Sequence, residues 1–600
     1  MRRTRSWHVD APPDRLWRVL ADTARFNEAS GLGKYQLEEL PQADGSVLRI
    51  GRSRIMGFGL EWNERPYEWL EGSHFRQTRL FRKGPFSRFG ISAELTPEAS
   101  GRTRIDYVLH GEPANIFGHA LVALRQIDRA FRHMGMLVET ASRHAEAGEP
   151  GPAPFEMPTV ELAPGGRERL EAARGRLAAG PYGHGLADRL ATLIAGAPDV
   201  DVEQIRPLKL AREWGVSRLA AVELALAATR EGMLRLSWDL LCPRCRGAKR
   251  SVAALDQLPR GAHCPSCNID YGADFTENVE LSFRPAPSIR PVLAGGFCIA
   301  GPMSTPHVVM QQILAPGETR ELAAPLPPGR YRLRTIDPGE TAEFEHDGGA
   351  LPAFVADASG ARLDAVGPAI RLANRDARER VLVLERRDWR SDALTAKAAT
   401  ALQAFRDLFA DQVLRPDEDV AIDSVALMFT DLEGSTALYQ RIGDGAAYNL
   451  VRDHFAYLGE AVRRHEGTLV KTIGDAVMAA FADPAQAVAA ALSVQRHVGE
   501  FNARQQDAAI RIKTGLHVGP CIAVTMNGRL DYFGSAVNLA ARLQGESGGG
   551  DVVISEALAA DPAVRPLLAP FRLSDERARL KGFAEPVPFH RLTQDALLAN

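Results

Sequence analysis

The stretch SVALMFTDLEGST, Ser424–Thr436, reads as a buried strand that breaks into a turn and then a helix. Asp431 sits where the strand ends, Gly434 lets backbone amides approach a phosphate chain closely, and Ser435 and Thr436 open the helix. Further on, TLVKTIGDAVMAAF, Thr468–Phe481, carries a hairpin pattern of strand, Gly474-Asp475 turn and strand, which places Asp475 at a second tight turn. Two carboxylates on adjacent turns suit a pair of magnesium or manganese ions holding a triphosphate. Each signal alone has an ordinary explanation: an Asp ending a strand is usually a turn former, and Gly-Asp is a common hairpin dipeptide.

The third piece, RLDYFGSAVNLAARL, Arg529–Leu543, leads from a strand into a helix, with Asn538 and Arg542 four residues apart and so on one helix face. Singly, Asn538 would be a helix cap and Arg542 a surface charge. Together, FTDLEGST, KTIGDAVMAAF and DYFGSAVNLAARL resemble the class III adenylyl/guanylyl cyclase family over about residues 422–592. That resemblance implies a ferredoxin-like βαββαβ domain, here placed at 420–595. It implies Asp431 and Asp475 as ligands of two Mg2+ or Mn2+ ions, Lys471 and Asp531 as the pair that reads the base, and Asn538 as the residue orienting the ribose. It implies Arg542 as the brace of the transition state, and Lys581, in RLKGF, as a lysine that meets the terminal phosphates; Gly434, Ser435 and Thr436 line the substrate turn. The base pair points to ATP: adenine offers an amino donor at position 6 and an acceptor at N1, which match an Asp acceptor and a Lys donor, whereas guanine reverses both. In this family the metal ligands come from one protomer and the base, ribose and transition-state residues from the other, so a chain with both sets implies a homodimer. The expected activity is an adenylate cyclase regulated by the domains ahead of it. The competing reading is a sensor whose cyclase domain no longer turns over, against which the intact polar set argues.

The rest of the chain divides by composition. GEPGPAPFEMP, Gly148–Pro158, reads as a linker. Before it, residues 1–148 show a strand at Trp7–Asp10, a helix from Pro13 to Asp22, alternating segments, and a long amphipathic helix from about Gly118 to Ala147. This order resembles the START-like helix-grip, or polyketide-cyclase-like, family, with either a pocket for a small apolar ligand or a filled core serving as a docking module. After the linker come a helical region at 155–241, a cysteine-bearing segment at 242–275, a β-rich region at 276–390, and a helix-like connecting run at 393–415 suited either to pairing in the dimer or to spacing. The whole resembles an uncharacterised family found ahead of bacterial cyclase domains. The fold class expected is thus α+β and multidomain.

Cys242-Pro-Arg-Cys245 and Cys264-Pro-Ser-Cys267 are two C-x-x-C knuckles separated by residues 246–263, a spacing for four thiolates around one tetrahedral, structural Zn2+. Cys298 and Cys521 stand alone. Leu208–Trp238 has the look of a winged helix-turn-helix with Gly215 at the turn, but its second helix sets Arg218 and Arg230 against Glu223 and Glu231. It lacks the basic face that DNA reading needs, which disfavours a zinc-containing transcription regulator. A formal net charge of -3 gives no global pull toward nucleic acid. No apolar run is long enough to span a membrane and no secretory signal opens the chain, so a cytoplasmic protein is expected.

Overall fold

A computed structural model of the chain describes residues 1–42, 47–55, 58–264, 267, 269–275, 278–292, 301–322, 326–367, 369–387, 392–409, 412, 420–505, 509–526 and 528–593. Cys298 lies outside these residues, as do 410–411 and 413–415 at the end of the connecting run and 594–595 at the expected end of the cyclase domain.

The C-terminal domain is built on the strand Val420–Leu432. Ala426, Leu427 and Met428 on it are all fully buried, because helices and neighbouring packing cover both faces; this is why its sequence is a continuous apolar run rather than an alternating one. Strands Gly467–Ile473 and Ala476–Phe481 lie to one side of it and Ile512–Met526 to the other, giving the order second, third, first, fourth of a ferredoxin-like sheet. Arg529–Phe533 folds back on Ile512–Met526, and Val552–Ser555 extends the sheet in parallel. The helix Pro484–Ala503 starts with Asp483 accepting from the Ala485 N–H and with proline in its first turn. The helix Ser535–Glu546 crosses the sheet so closely that a Cβ on Gly515 would lie 2.1 Å from the Gln544 nitrogen.

At the other end, strand Arg2–Val9 pairs with Thr103–Pro113 and the sheet runs on through Phe86–Pro97 and His74–Lys83. Helices Pro13–Leu20 and Gln126–Ala147 pack on it, with Leu137, Val138 and Ala141 meeting Leu16 and Trp17. The single long helix expected from Gly118 is instead two, Ile116–Ala123 and Gln126–Ala147, because Arg125 takes a left-handed conformation at φ 55 and breaks the ladder between them.

This sheet does not stop at the N-terminal region. Glu68–Leu70 pairs with Val308–Leu314, placing Leu70 opposite Met310 and Trp69 opposite Gln311, so that one twelve-stranded sheet spans the N-terminal and β-rich regions. Side chains stitch the seam: Trp69 Nε1 donates to the Val308 carbonyl at 3.2 Å, and Gln311 Nε2 to the Tyr67 carbonyl at 2.7 Å. The β-rich region also starts later than 276, because Val279–Pro285 pairs with Leu234–Leu241 in the sheet of the helical region.

The described part of the connecting run, 393–409, is not one helix either. It forms a short strand, Leu394–Thr395, then helices Ala396–Thr400 and Gln403–Leu408 separated at Ala401 and Leu402. Ala396, Ala399, Ala404 and Phe405 are nearly fully buried, so the run is a packed strap and not a free coiled-coil seam.

Candidate active site

Asp431 ends its strand in register with Lys513, and Gly434, at φ 65, starts the helix Ser435–Ile442. Asp475 occupies the hairpin turn after Gly474, which has φ 66. The turns bring the two carboxylates into mutual repulsion: burial and then Asp475 push the Asp431 carboxyl above its ordinary range. Asp475 Oδ2 is buried without a hydrogen bond of acceptable geometry among the described residues, although the Tyr439 hydroxyl faces it. Burial and the two acids push that hydroxyl up to about 12. An orphaned carboxylate oxygen beside a second acid is a donor set that fits divalent cations.

Lys471 and Asp531, on strands 60 residues apart in sequence, meet directly: Lys471 Nζ donates to Asp531 Oδ2 at 2.7 Å. Asp531 is 7% exposed, and its other oxygen accepts from the Tyr532 N–H at 2.8 Å. Asn538 and Arg542 lie on the exposed face of Ser535–Glu546, and Arg542 makes no ion pair among the described residues. Ser435 is half-buried, Thr436 is exposed, and Lys581 is exposed in the turn after Leu573–Ala578.

Gln403 and Arg406, on the strap, are site neighbours with no local sequence signal. Gln403 Oε1 accepts from Thr468 Oγ1 at 3.1 Å and from the Leu469 N–H at 2.9 Å, three and two residues before Lys471. Arg406 Nη1 donates to the carbonyl of Leu530, next to Asp531, at 2.8 Å, with its guanidinium 5.7 Å from the Tyr532 ring centre. The strap's other side belongs to the helical region: Phe405 meets Trp238 edge-on at 5.8 Å, Tyr182 donates to Asp407 at 2.9 Å, and Arg230 donates to the Leu408 carbonyl.

The four cysteines also converge. Their sulfurs all lie within 4.8 Å of one another, and Cys245 and Cys264 are 3.8 Å apart. A tetrahedron with metal–sulfur bonds of about 2.3 Å has edges of about 3.8 Å, so the cluster fits zinc and is too wide for a disulfide. Lys249 lies in the field of Cys245 and Glu39, and the buried Arg334 in that of Glu385 and Cys267. On the helix Arg218–Arg230, Ala221–Ala228 are all buried.

Residues 418–561 match the family described as the adenylate and guanylate cyclase catalytic domain, and residues 181–297 match a family of unknown function, DUF5939. The C-terminal part of the chain carries a cyclase catalytic domain. An uncharacterised protein of Mycobacterium tuberculosis is 35% identical over 159 residues, 26% of this chain and 38% of that protein. An adenylate cyclase of Lachancea kluyveri is 31% identical over 174 residues, 25% of this chain and 9% of that enzyme. The chain therefore spans well under two thirds of the curated relatives it matches. The solved structure of the adenylyl cyclase CyaB from P. aeruginosa is 23% identical, with 29% of this chain and 96% of that chain covered at a TM-score of 0.27. No described helix is long and apolar enough to cross a membrane.

Proposed function

We propose that the cyclase domain converts ATP to 3′,5′-cyclic AMP and pyrophosphate at sites shared by two copies of the chain. The observation that carries this reading is the Lys471–Asp531 pair, a donor and an acceptor held side by side with the acceptor buried. That polarity complements N1 and the 6-amino group of adenine, and sets like against like for guanine.

Asp431 and Asp475 would hold two Mg2+ or Mn2+ ions. When bound, these supply a lowered pKa for the ribose 3′-hydroxyl and neutralise the triphosphate. The Gly434–Thr436 turn presents backbone amides to the phosphates, and Lys581 meets the terminal ones. Asn538 orients the ribose for in-line attack on the α-phosphorus, and Arg542 balances charge building on its equatorial oxygens.

Two exposed apolar side chains support a shared site. Ile473, beside the Asp475 turn, is 54% exposed, and Phe533, two residues after Asp531, is 62% exposed. Such groups flanking both half-sites suit burial against a second copy. The strap supports regulation by the preceding domains, since Gln403 and Arg406 tie the strands bearing Lys471 and Asp531 to the helical region. Cys242, Cys245, Cys264 and Cys267 would hold one structural Zn2+, which completes a four-sulfur shell and leaves no position for water. That reduced, metal-type cysteine pattern suits the cytoplasm. In the N-terminal domain, Trp17, Trp69, Phe75 and Tyr107 are buried together in the core, which favours the docking module over the small apolar ligand. Measuring cyclic nucleotide formation from ATP and from GTP, with each metal, tests the proposal; turnover of GTP in preference to ATP would reject it.

A further inference from the structure

The helix Ile116–Ala123, IFGHALVA, has one charged or polar side chain, His119, yet lies on the surface. Gly118 is its one buried residue, seated so tightly on the β-hairpin tip that a Cβ there would lie 2.0 Å from the Pro85 oxygen. Ile116 is 88% exposed, Phe117 51%, and Leu124, just past the helix end, 67%. A helix this apolar is ordinarily buried. It is also firmly placed: Asn115 accepts from the Gly118 N–H at 3.0 Å and donates to the Gly84 carbonyl at 2.9 Å.

Cations rim both ends. Arg82, Lys83 and Arg88 flank the hairpin tip under the N-terminal end, and Arg125, Arg129 and Arg132 follow the C-terminal end; all six are exposed. None of the six forms an ion pair among the described residues. Acids near them are fewer and partly committed: Asp128, in the field of Arg125 and Arg132, pairs with Arg3 at 2.6 Å; Glu61, in register with Lys83, pairs with Arg52 at 3.1 Å; and Glu112 lies in register with Arg88.

We infer that this face docks the chain onto an anionic lipid bilayer, with Ile116, Phe117 and Leu124 entering the acyl boundary and the six cations meeting lipid phosphates and carboxylates. A preformed apolar helix ringed by long basic side chains has the chemistry of an interfacial anchor. An apolar protein partner or a second copy would have to desolvate a rim in which the cations outnumber the acids. The inference is independent of the cyclase reading.

The test is co-sedimentation of the full chain with vesicles of phosphatidylcholine alone and of phosphatidylcholine with about a third phosphatidylserine. The wild type should sediment with the anionic vesicles and not the neutral ones, and added salt should release it. Ile116→Ser with Phe117→Ser, and separately Arg125→Glu with Arg129→Glu, should each lower the bound fraction at least about ten-fold with an unchanged unfolding midpoint. Failure of the wild type to bind anionic vesicles would overturn the inference. So would equal binding to neutral vesicles, or a serine variant that changes oligomeric state while binding vesicles as before.

Discussion

Lys471 Nζ lies 2.7 Å from Asp531 Oδ2, joining the second strand of the cyclase sheet to the hairpin strand that leads into the Asn538 helix. The contact pre-orients two groups that would otherwise point independently, so on the proposed reading the half-site for the base is formed before nucleotide arrives. Lys471→Glu with Asp531→Cys should lower ATP turnover by a hundred-fold or more, roughly 3 kcal/mol, and shift the remaining activity toward GTP. Unchanged ATP kinetics would remove both residues from base reading.

The strap makes a separate prediction. Gln403→Ala frees the Leu469 N–H and Thr468 hydroxyl that it binds. The loss should cost about 1 kcal/mol in positioning and raise the ATP KM roughly five-fold, with a smaller change in kcat. Gln403→Glu, which keeps the acceptor, should recover most of the affinity. Steady-state kinetics on both variants check this; an equal fall of kcat in both would indicate general damage to the domain instead.

Much of the cyclase domain was legible in the sequence because its chemistry is local. Asp431, Gly434 and Asp475 mark turns, and the apolar runs that lead into Asp431 and out of Asp475 read as buried strands. What was not legible depends on contacts distant in sequence. Nothing in Trp69 or Gln311 announces that an edge strand of the N-terminal sheet pairs with Val308–Leu314, since edge pairing is set by backbone groups that every residue carries. The connecting run reads as helix because alanine and leucine favour helix, yet its described residues form two short helices packed as a strap, with Phe405 against Trp238. Gln403 and Arg406 were invisible for the same reason, and Arg125 gave no sign of its left-handed backbone.

The cysteine cluster should hold about one zinc per chain, measurable by atomic absorption on purified protein. Cys264→Ser should abolish that content and destabilise the region around Lys249 and Arg334, while leaving residual catalysis in the separate cyclase domain. Protein that carries no zinc when purified without chelators would contradict the four-thiolate site.

His74 at the seam gives a pH dependence. Burial, Arg76 and Arg320 push it down to about 4, with Glu94 opposing, and Gln312 Nε2 sits 3.1 Å from its Nε2. A neutral ring accepts there, and a protonated one sets two donors face to face. Its folded pKa lies below the unfolded value of 6.5, so its contribution is complete above about pH 6.5 and is lost as pH falls toward 4. The loss is on the order of 3 kcal/mol. His74→Gln should flatten the unfolding midpoint across that window, and an equally steep profile in the variant would exclude His74 as the source.

The shared site is tested most directly by mixing two inactive proteins. Asp431→Ala removes a proposed metal ligand and Arg542→Ala the proposed charge balance at phosphorus, so each homodimer should be nearly inactive. Mixed in equal amounts with free exchange, half the dimers hold one doubly damaged site and one intact site, and activity should return to about a quarter of wild type. The recovery should grow with protein concentration, since dimers form by mass action. Subunit exchange verified by labelled protein, with no return of cyclic AMP synthesis, would contradict a site built from two chains.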